Sequence, residues 1–320
     1  MLPREEWRLP SAQQFRDYIK PYETLVASPQ VSLEVPPYYQ NREGNRRAIA
    51  NLERDSDAAL SLALAYRVFG ASGYYGKAMS ILFDWTSLER VIGSESRLQL
   101  TYRGIKFLEA MWHCRGDGWH QWFMDWVVSV YLPSASILRE QKNNHGAWGW
   151  CGAIYAAKVI GVGVGQKDID GLLAHIRAAV CPYTGLLWRE AMREESGIWY
   201  HYFALAPYTQ ALLDVKEMTG QNHLGLLTKS YDLLYNLCLY PDTWPWKGSK
   251  GIIGWIKGIL FPHAPQLERP TPTGWPSSLL ETVATRILYR PQYLEYIQRP
   301  LIEGHVFRFS TLKWAWGIEA

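Results

Sequence analysis

Apolar positions recur at a helical period along most of the chain. In residues 57–69 (DAALSLALAYRVF), Leu60, Leu64 and Tyr66–Val68 fall on that period, and Gly70 follows as a stop. The pattern restarts over 74–85. Further helices are predicted over 11–27, 99–113, 119–139, 144–160, 168–180, 198–218, 224–238 and 277–289, each closed by Gly, Pro or a polar turn. Alternating strand patterns are scarce; candidates such as 304–311 suffice for a minor sheet only. Successive helices joined by short turns pair antiparallel, so the chain reads as a series of helical hairpins. Curled side by side, these give an all-α (α/α) toroid or an incomplete α/α barrel of helical hairpins. An irregular bundle is the alternative, and periodicity alone does not separate the two. At 320 residues the length leaves one large domain or two small ones open.

Two stretches break the hairpin rhythm. Residues 34–47 (EVPPYYQNREGNRR) combine Pro, Tyr, Asn, Gly and Arg, and read as a mobile loop. Residues 239–276 are rich in Pro, Gly, Trp and Lys, with no convincing helix, and their aromatics suggest a functional cover.

Composition narrows the function classes. With 48% hydrophobic, 14% aromatic and 20% charged residues, the chain lies far from disordered sequences. Lys and Arg total 33 against 30 Asp and Glu, a net +3, and no basic run exceeds Arg46-Arg47, so nucleic acid is not an expected partner. A slightly basic protein remains compatible with an anionic substrate. Cys114, Cys151, Cys181 and Cys238 show no CxxC spacing, which points to neither a zinc ribbon nor a disulfide scaffold. The start, MLPREEWRLP, has acids where a secretory signal has a basic start and an apolar run. The longest apolar stretches, such as 251–261 with its Lys257, fall short of a membrane span, so a soluble chain with no membrane partner is expected.

Tryptophan is the outlier, at 16 residues. Indole suits core packing and equally the C–H faces of sugar rings. Trp148, Trp150, Trp199, Trp244, Trp246 and Trp275 lie beside unusual loops or polar clusters and are the sugar-stacking candidates. Chemistry concentrates at Asn143-Asn144-His145, before Gly146-Ala147-Trp148-Gly149-Trp150, then at Arg189-Glu190-Ala191-Met192-Arg193 and Trp199-Tyr200-His201-Tyr202-Phe203. Taken locally, Asn143 or Asn144 caps a helix with His145 in its first turn, the Tyr-His pair packs, and Arg193 with Glu194 forms a solvated face. A continuous helix would put Arg193 and Tyr200 on one face, but Gly197 stands against continuity.

The pair NNH-x2-W and E-x2-R-x6-YH-x-FAL resembles the alginate lyases of polysaccharide lyase family five and the wider alginate-lyase-like superfamily. The 55-residue step from His145 to Tyr200 fits that family, as does Leu52-Glu53-Arg54 after a flexible loop. The likeness spans roughly residues 30–290. It departs at Glu194, where the family has Gly, and at Gly146-Ala147, where it has Ser-Tyr.

The resemblance implies one alginate-lyase-like α/α toroid domain over 1–320, with a lid loop at 34–47, that cleaves a uronate polymer by β-elimination. Removing the C5 proton of a uronate is hard because the adjacent carboxylate resists further negative charge. Asn144, His145 and Arg193 are then expected to supply hydrogen bonds and positive charge there. Tyr200 is the candidate base, acid or both, its phenol pKa near 10 being open to lowering by an arginine, and His145 is the alternative base. Arg54 with Tyr38, Tyr39 and Arg42 of the lid would bind neighbouring sugars, and Trp148, Glu190 and His201 complete the expected substrate-binding set. Glu190 also reads as a structural partner orienting Arg193, and His201 as a residue that can turn to the core. The mechanism calls for no cofactor and no metal. The expected partner is an anionic uronate polysaccharide, a substrate found outside the cell or in the periplasm, and the protein that meets it is expected to be a monomer, whether secreted, periplasmic or virion-associated. Two other classes stay open: a helical-toroid glycoside hydrolase, for which Glu190, Asp242 and Glu281 are available carboxylates, and a non-catalytic polysaccharide-binding protein.

Overall fold

The computed structural model describes residues 11–115, 120–193 and 197–240, and isolated positions between 279 and 293. The predicted helix at 277–289 and strand at 304–311 lie largely or wholly outside the described residues, as do Trp244, Trp246 and Trp275. Eleven α-helices are described: α1 (Ala12–Glu23), α2 (Arg42–Phe69), α3 (Ser72–Trp85), α4 (Ser94–Cys114), α5 (Gln121–Trp126), α6 (Leu132–Leu138), α7 (Asn144–Ile160), α8 (Gln166–Ala179), α9 (Trp188–Ala191), α10 (Gly197–Thr219) and α11 (Thr228–Leu239). The described residues divide into two compact units, one of 11–138 with 152–163, the other of 139–151 with those from 164 onward.

In the first unit α2 packs on α1, α3 and α4, and α4 packs on α6. Both α2 and α4 are buried on nearly every face over their central turns, including Ala58–Ala65 and Leu98–Met111 apart from Arg103, as expected of inner helices rather than surface ones. The buried Lys106 ammonium is paired with Asp57, and His113 Nε2 lies 3.6 Å from Glu109 Oε1. Asp55, fully buried, accepts hydrogen bonds from Trp85 Nε1 at 2.9 Å, the Ser28 amide at 2.8 Å and Arg54 Nε at 2.8 Å. Between α5 and α6 the helix widens into a π-helical turn, Val127–Tyr131, where the Leu132 amide donates to the Val127 carbonyl five residues back. A short parallel ladder pairs β1 (Ser32–Glu34) with β2 (Arg90–Ile92), burying Leu33.

The loop expected at 34–47 is shorter than its composition suggests. Asn41 caps α2 by accepting from the Gly44 amide at 2.8 Å, and Asn45 is buried, so residues 42–47 are the first turns of a 28-residue helix. Only 35–41 are irregular, with a turn at 38–40.

In the second unit α10 is the inner helix, buried continuously from His201 to Leu212, and packs on α9 and α11. The division between the units falls inside α7.

Candidate active site

Asn143 forms the N-cap of α7. Its carbonyl accepts from Ala147 at 3.2 Å and its side chain from the His145 amide at 3.1 Å. Asn144 and His145 are thereby placed in the first helical turn. Asn144 is buried, and the carboxylate that meets it is Glu190 of α9: Oε1 accepts from the Asn144 amide at 2.6 Å and Oε2 from Asn144 Nδ2 at 2.9 Å. A buried carboxylate at a helix N-terminus satisfies an otherwise unpaired backbone donor and opposes the positive end of the helix dipole. Burial pushes the Glu190 pKa up, opposed by Arg193 and by the two Asn144 bonds.

Arg193 follows α9 in a turn, not on a helix continuous with Tyr200, yet the two meet. Its Nε lies 3.2 Å from Glu190 Oε2, and its guanidinium carbon 4.1 Å from the centre of the Tyr200 ring, a cation–π arrangement. Tyr200, partly exposed in the first turn of α10, is further held by the edge of Trp199, ring centres 4.9 Å apart. Trp199 in turn stacks on Phe203 at 4.6 Å. His145 is pulled down to about 4, first by burial and second by Arg193. Its imidazole is therefore neutral near pH 7, which corrects the expectation that it shares in supplying positive charge. That charge belongs to Arg193.

The substrate-binding set divides. His201 is fully buried: Nδ1 accepts from the Leu187 amide at 3.3 Å, which leaves Nε2–H to donate to the Ser230 carbonyl at 3.4 Å. It fixes the segment leading into α9 and is not a sugar ligand; burial lowers its pKa to about 4. Trp148 is fully buried against Phe203, ring centres 5.3 Å apart, and presents no face to a sugar. Glu190, buried, acts on Asn144 and Arg193 rather than on substrate. Trp150 packs on α8, its ring tip 2.5 Å from where a Cβ would stand on Gly171, with Arg139 over its face at 5.2 Å.

Arg54, Tyr38, Tyr39 and Arg42 belong to the other unit. Arg54, with a side chain 41% exposed, is tied to Asp55 and to Ser28 Oγ at 3.1 Å, a role in anchoring residues 26–28 that sequence reasoning missed. Tyr38 and Tyr39 pack edge to face at 5.5 Å, with the Arg42 guanidinium 5.3 Å from the Tyr38 ring centre. Sequence reasoning also missed His175 and Tyr208. His175 Nε2 lies 2.7 Å from the Gln141 carbonyl and Nδ1 2.8 Å from the Tyr208 hydroxyl. Nothing in their local pattern distinguishes either from a packing residue.

Among the described residues no group of three or more metal-ligating side chains occurs, and no helix is long and apolar enough to cross a membrane.

A family model described as Alginate lyase matches residues 7–225. Among solved structures, the chain is similar to a histidine-to-alanine variant of alginate lyase A1-III complexed with tetrasaccharide (TM-score 0.73, 13% identity, 92% of this chain and 86% of that one). It is similar to an alginate lyase from Bacteroides ovatus (TM-score 0.63, 13% identity, 90% of each chain). A tyrosine-to-phenylalanine variant of A1-III, also complexed with tetrasaccharide, matches with a TM-score of 0.58 and 14% identity over 81% of this chain and 88% of that one. At such identities the likeness carries the fold, which is the all-α (α/α) toroid expected from the hairpins. None of the curated proteins matches the chain significantly by sequence.

Proposed function

The chain belongs to the alginate lyase family and is a polysaccharide lyase, and from that premise we propose that Asn144, His145, Arg193 and Tyr200 carry out β-elimination on a uronate polymer. The observation that carries this reading is the chain of contacts from Asn144 through Glu190 and Arg193 to the face of Tyr200. It gathers a fixed positive charge, an amide donor and a phenol in one unit, with a neutral imidazole beside the charge.

In the reaction, the uronate carboxylate lies against Arg193, whose charge stabilises the enolate-like anion that forms as the C5 proton leaves. Asn144, buried, gives its amide hydrogens to Glu190 and so fixes the carboxylate that holds Arg193 in place. The Tyr200 oxygen, as phenolate, takes the C5 proton. The C4–O4 bond breaks, a C4–C5 double bond forms, and the same phenol returns the proton to O4. The Arg193 guanidinium at the ring face is the countercharge for this proton movement. His145 acts as a neutral hydrogen-bonding group, because a base whose pKa lies near 4 is poorly matched to proton abstraction at neutral pH. The two A1-III complexes bear substitutions of a histidine and a tyrosine, the residue types given these roles here.

Purified polymannuronate, mixed alginate and glucuronan, incubated with the parent chain and with Tyr200→Phe, test the reading. The parent should release ultraviolet-absorbing unsaturated ends from at least one polymer. Tyr200→Phe should keep polymer binding while turnover falls by about 10² to 10⁴. New reducing ends without ultraviolet absorbance mean hydrolysis and overturn the reaction; near-native turnover by Tyr200→Phe makes His145 the base.

A further inference from the structure

The turn before α7 is held from a second side, by groups that the proposed chemistry does not use. His175 Nε2 lies 2.7 Å from the Gln141 carbonyl, which only accepts, so Nε2 carries the hydrogen. In the neutral ring Nδ1 is then an acceptor, and the Tyr208 hydroxyl, 2.8 Å away, donates to it. Tyr208 is fully buried, and burial together with the nearby Glu190 carboxylate raises its pKa, so the hydroxyl keeps its proton. Burial and Arg189 lower the His175 pKa against the opposing Gln141 bond, keeping the imidazole neutral. The turn wraps closely around this ring: a Cβ on Gly146 would stand 1.8 Å from the Gln141 oxygen and 2.6 Å from His175 Nε2. Glycine is thus the residue that fits between the histidine and the turn.

We infer that His175, its tautomer pinned by Tyr208, is a positioning residue for Asn144 and His145: it clamps the Gln141–Gly146 turn through the Gln141 carbonyl, in addition to the hold that Glu190 exerts on Asn144. The inference rests on the functional reading above in taking Asn144 and His145 as parts of the reacting site. Small errors in their placement translate into turnover, since electrostatic stabilisation and proton transfer both depend on fixed donor geometry. Loss of the His175 hydrogen bond to the Gln141 carbonyl loosens the turn without removing any group that touches substrate.

The test combines steady-state kinetics on the polymer that the parent cleaves best with the His145 titration followed by nitrogen NMR of its ring. His175→Leu removes both hydrogen bonds. It should lower kcat by roughly 10- to 100-fold with KM within about twofold, and move the His145 titration from about 4 toward the ordinary 6.5 as the loosened turn admits water. His175→Gln, whose amide N–H reaches the Nε2 position, should recover most of the turnover. If His175→Leu does not fold, Tyr208→Phe carries the same readouts, with a several-fold loss expected. An unchanged kcat with an unmoved His145 titration overturns the inference, as does a loss of stability and turnover together that His175→Gln does not repair. Failure of the functional reading is distinguished by His145→Ala: full turnover in that variant discards the role of His145, while the ring titration in His175→Leu still reports whether the clamp exists.

Discussion

Glu190, itself buried, meets three donors at once, the amide and side chain of Asn144 and the Nε of Arg193. Glu190→Gln keeps the shape but leaves one acceptor for those three and adds donors of its own. Buried donors left unpaired cost about 1–3 kcal/mol. Chemical denaturation should show a loss of that order, with turnover falling more steeply than substrate affinity. The cluster was partly legible in the sequence. Asn144, His145, Arg193 and Tyr200 could be named because the two motifs that carry them resemble those of the alginate lyases in order and spacing. His201 and Trp148 could not be judged the same way. Each neighbours a candidate site residue, but burial is decided by which helix face meets the core, and α10 is buried on all faces at His201. The tie from Arg54 to Asp55 was hidden for a related reason: that carboxylate is fixed by Trp85, 30 residues away, a contact no local pattern encodes.

Among the elements, helix limits followed the chemistry of their ends. The limits of α7, 144–160, match the prediction because Asn143 caps its start and Gly161, at φ 74°, stops it. The start of α2 was hidden, since its first turns, REGNRR, have the composition of a loop and only the buried Asn45 and the Asn41 cap betray a helix. Removing that cap should matter. Asn41→Ala should cost about 1 kcal/mol, and protease cleavage confined to residues 38–47 should quicken if the loss frays the first turns as expected; an unchanged cleavage rate and stability would show that packing alone holds them. The discontinuity at Gly197 was legible, but the outcome was not. Arg193 and Tyr200 meet because α9 packs on α10, an arrangement that helical periodicity does not encode.

Across the whole chain, protonation of buried imidazoles ties stability to pH. His145 and His201 are lowered to about 4 from 6.5, chiefly by burial, and His175 is lowered as well. The unfolded chain binds these protons first, so the stabilisation is complete above pH 6.5 and is lost as pH falls through 4. Glu190, raised by burial, works in the opposite sense, but three imidazoles outnumber one carboxylate. Denaturant titrations at pH 7 and pH 4.5 should differ by about 2 to 5 kcal/mol in favour of pH 7; equal stability would mean that these rings are hydrated. The π-helical turn at Val127–Tyr131 bears on how the chain tolerates changes in length. One residue added to a helix rotates everything after it by about 100°, whereas a π turn absorbs the extra residue and keeps both flanks in phase. Val128 and Ser129 are exposed there, while Trp126 before them and Leu138 after them are core. Deleting Val128 should convert the turn to ordinary α-helix and leave a folded protein, whereas deleting a residue from the middle of α4 should not. The site of that slack is where a shorter homologous chain would be expected to carry its gap.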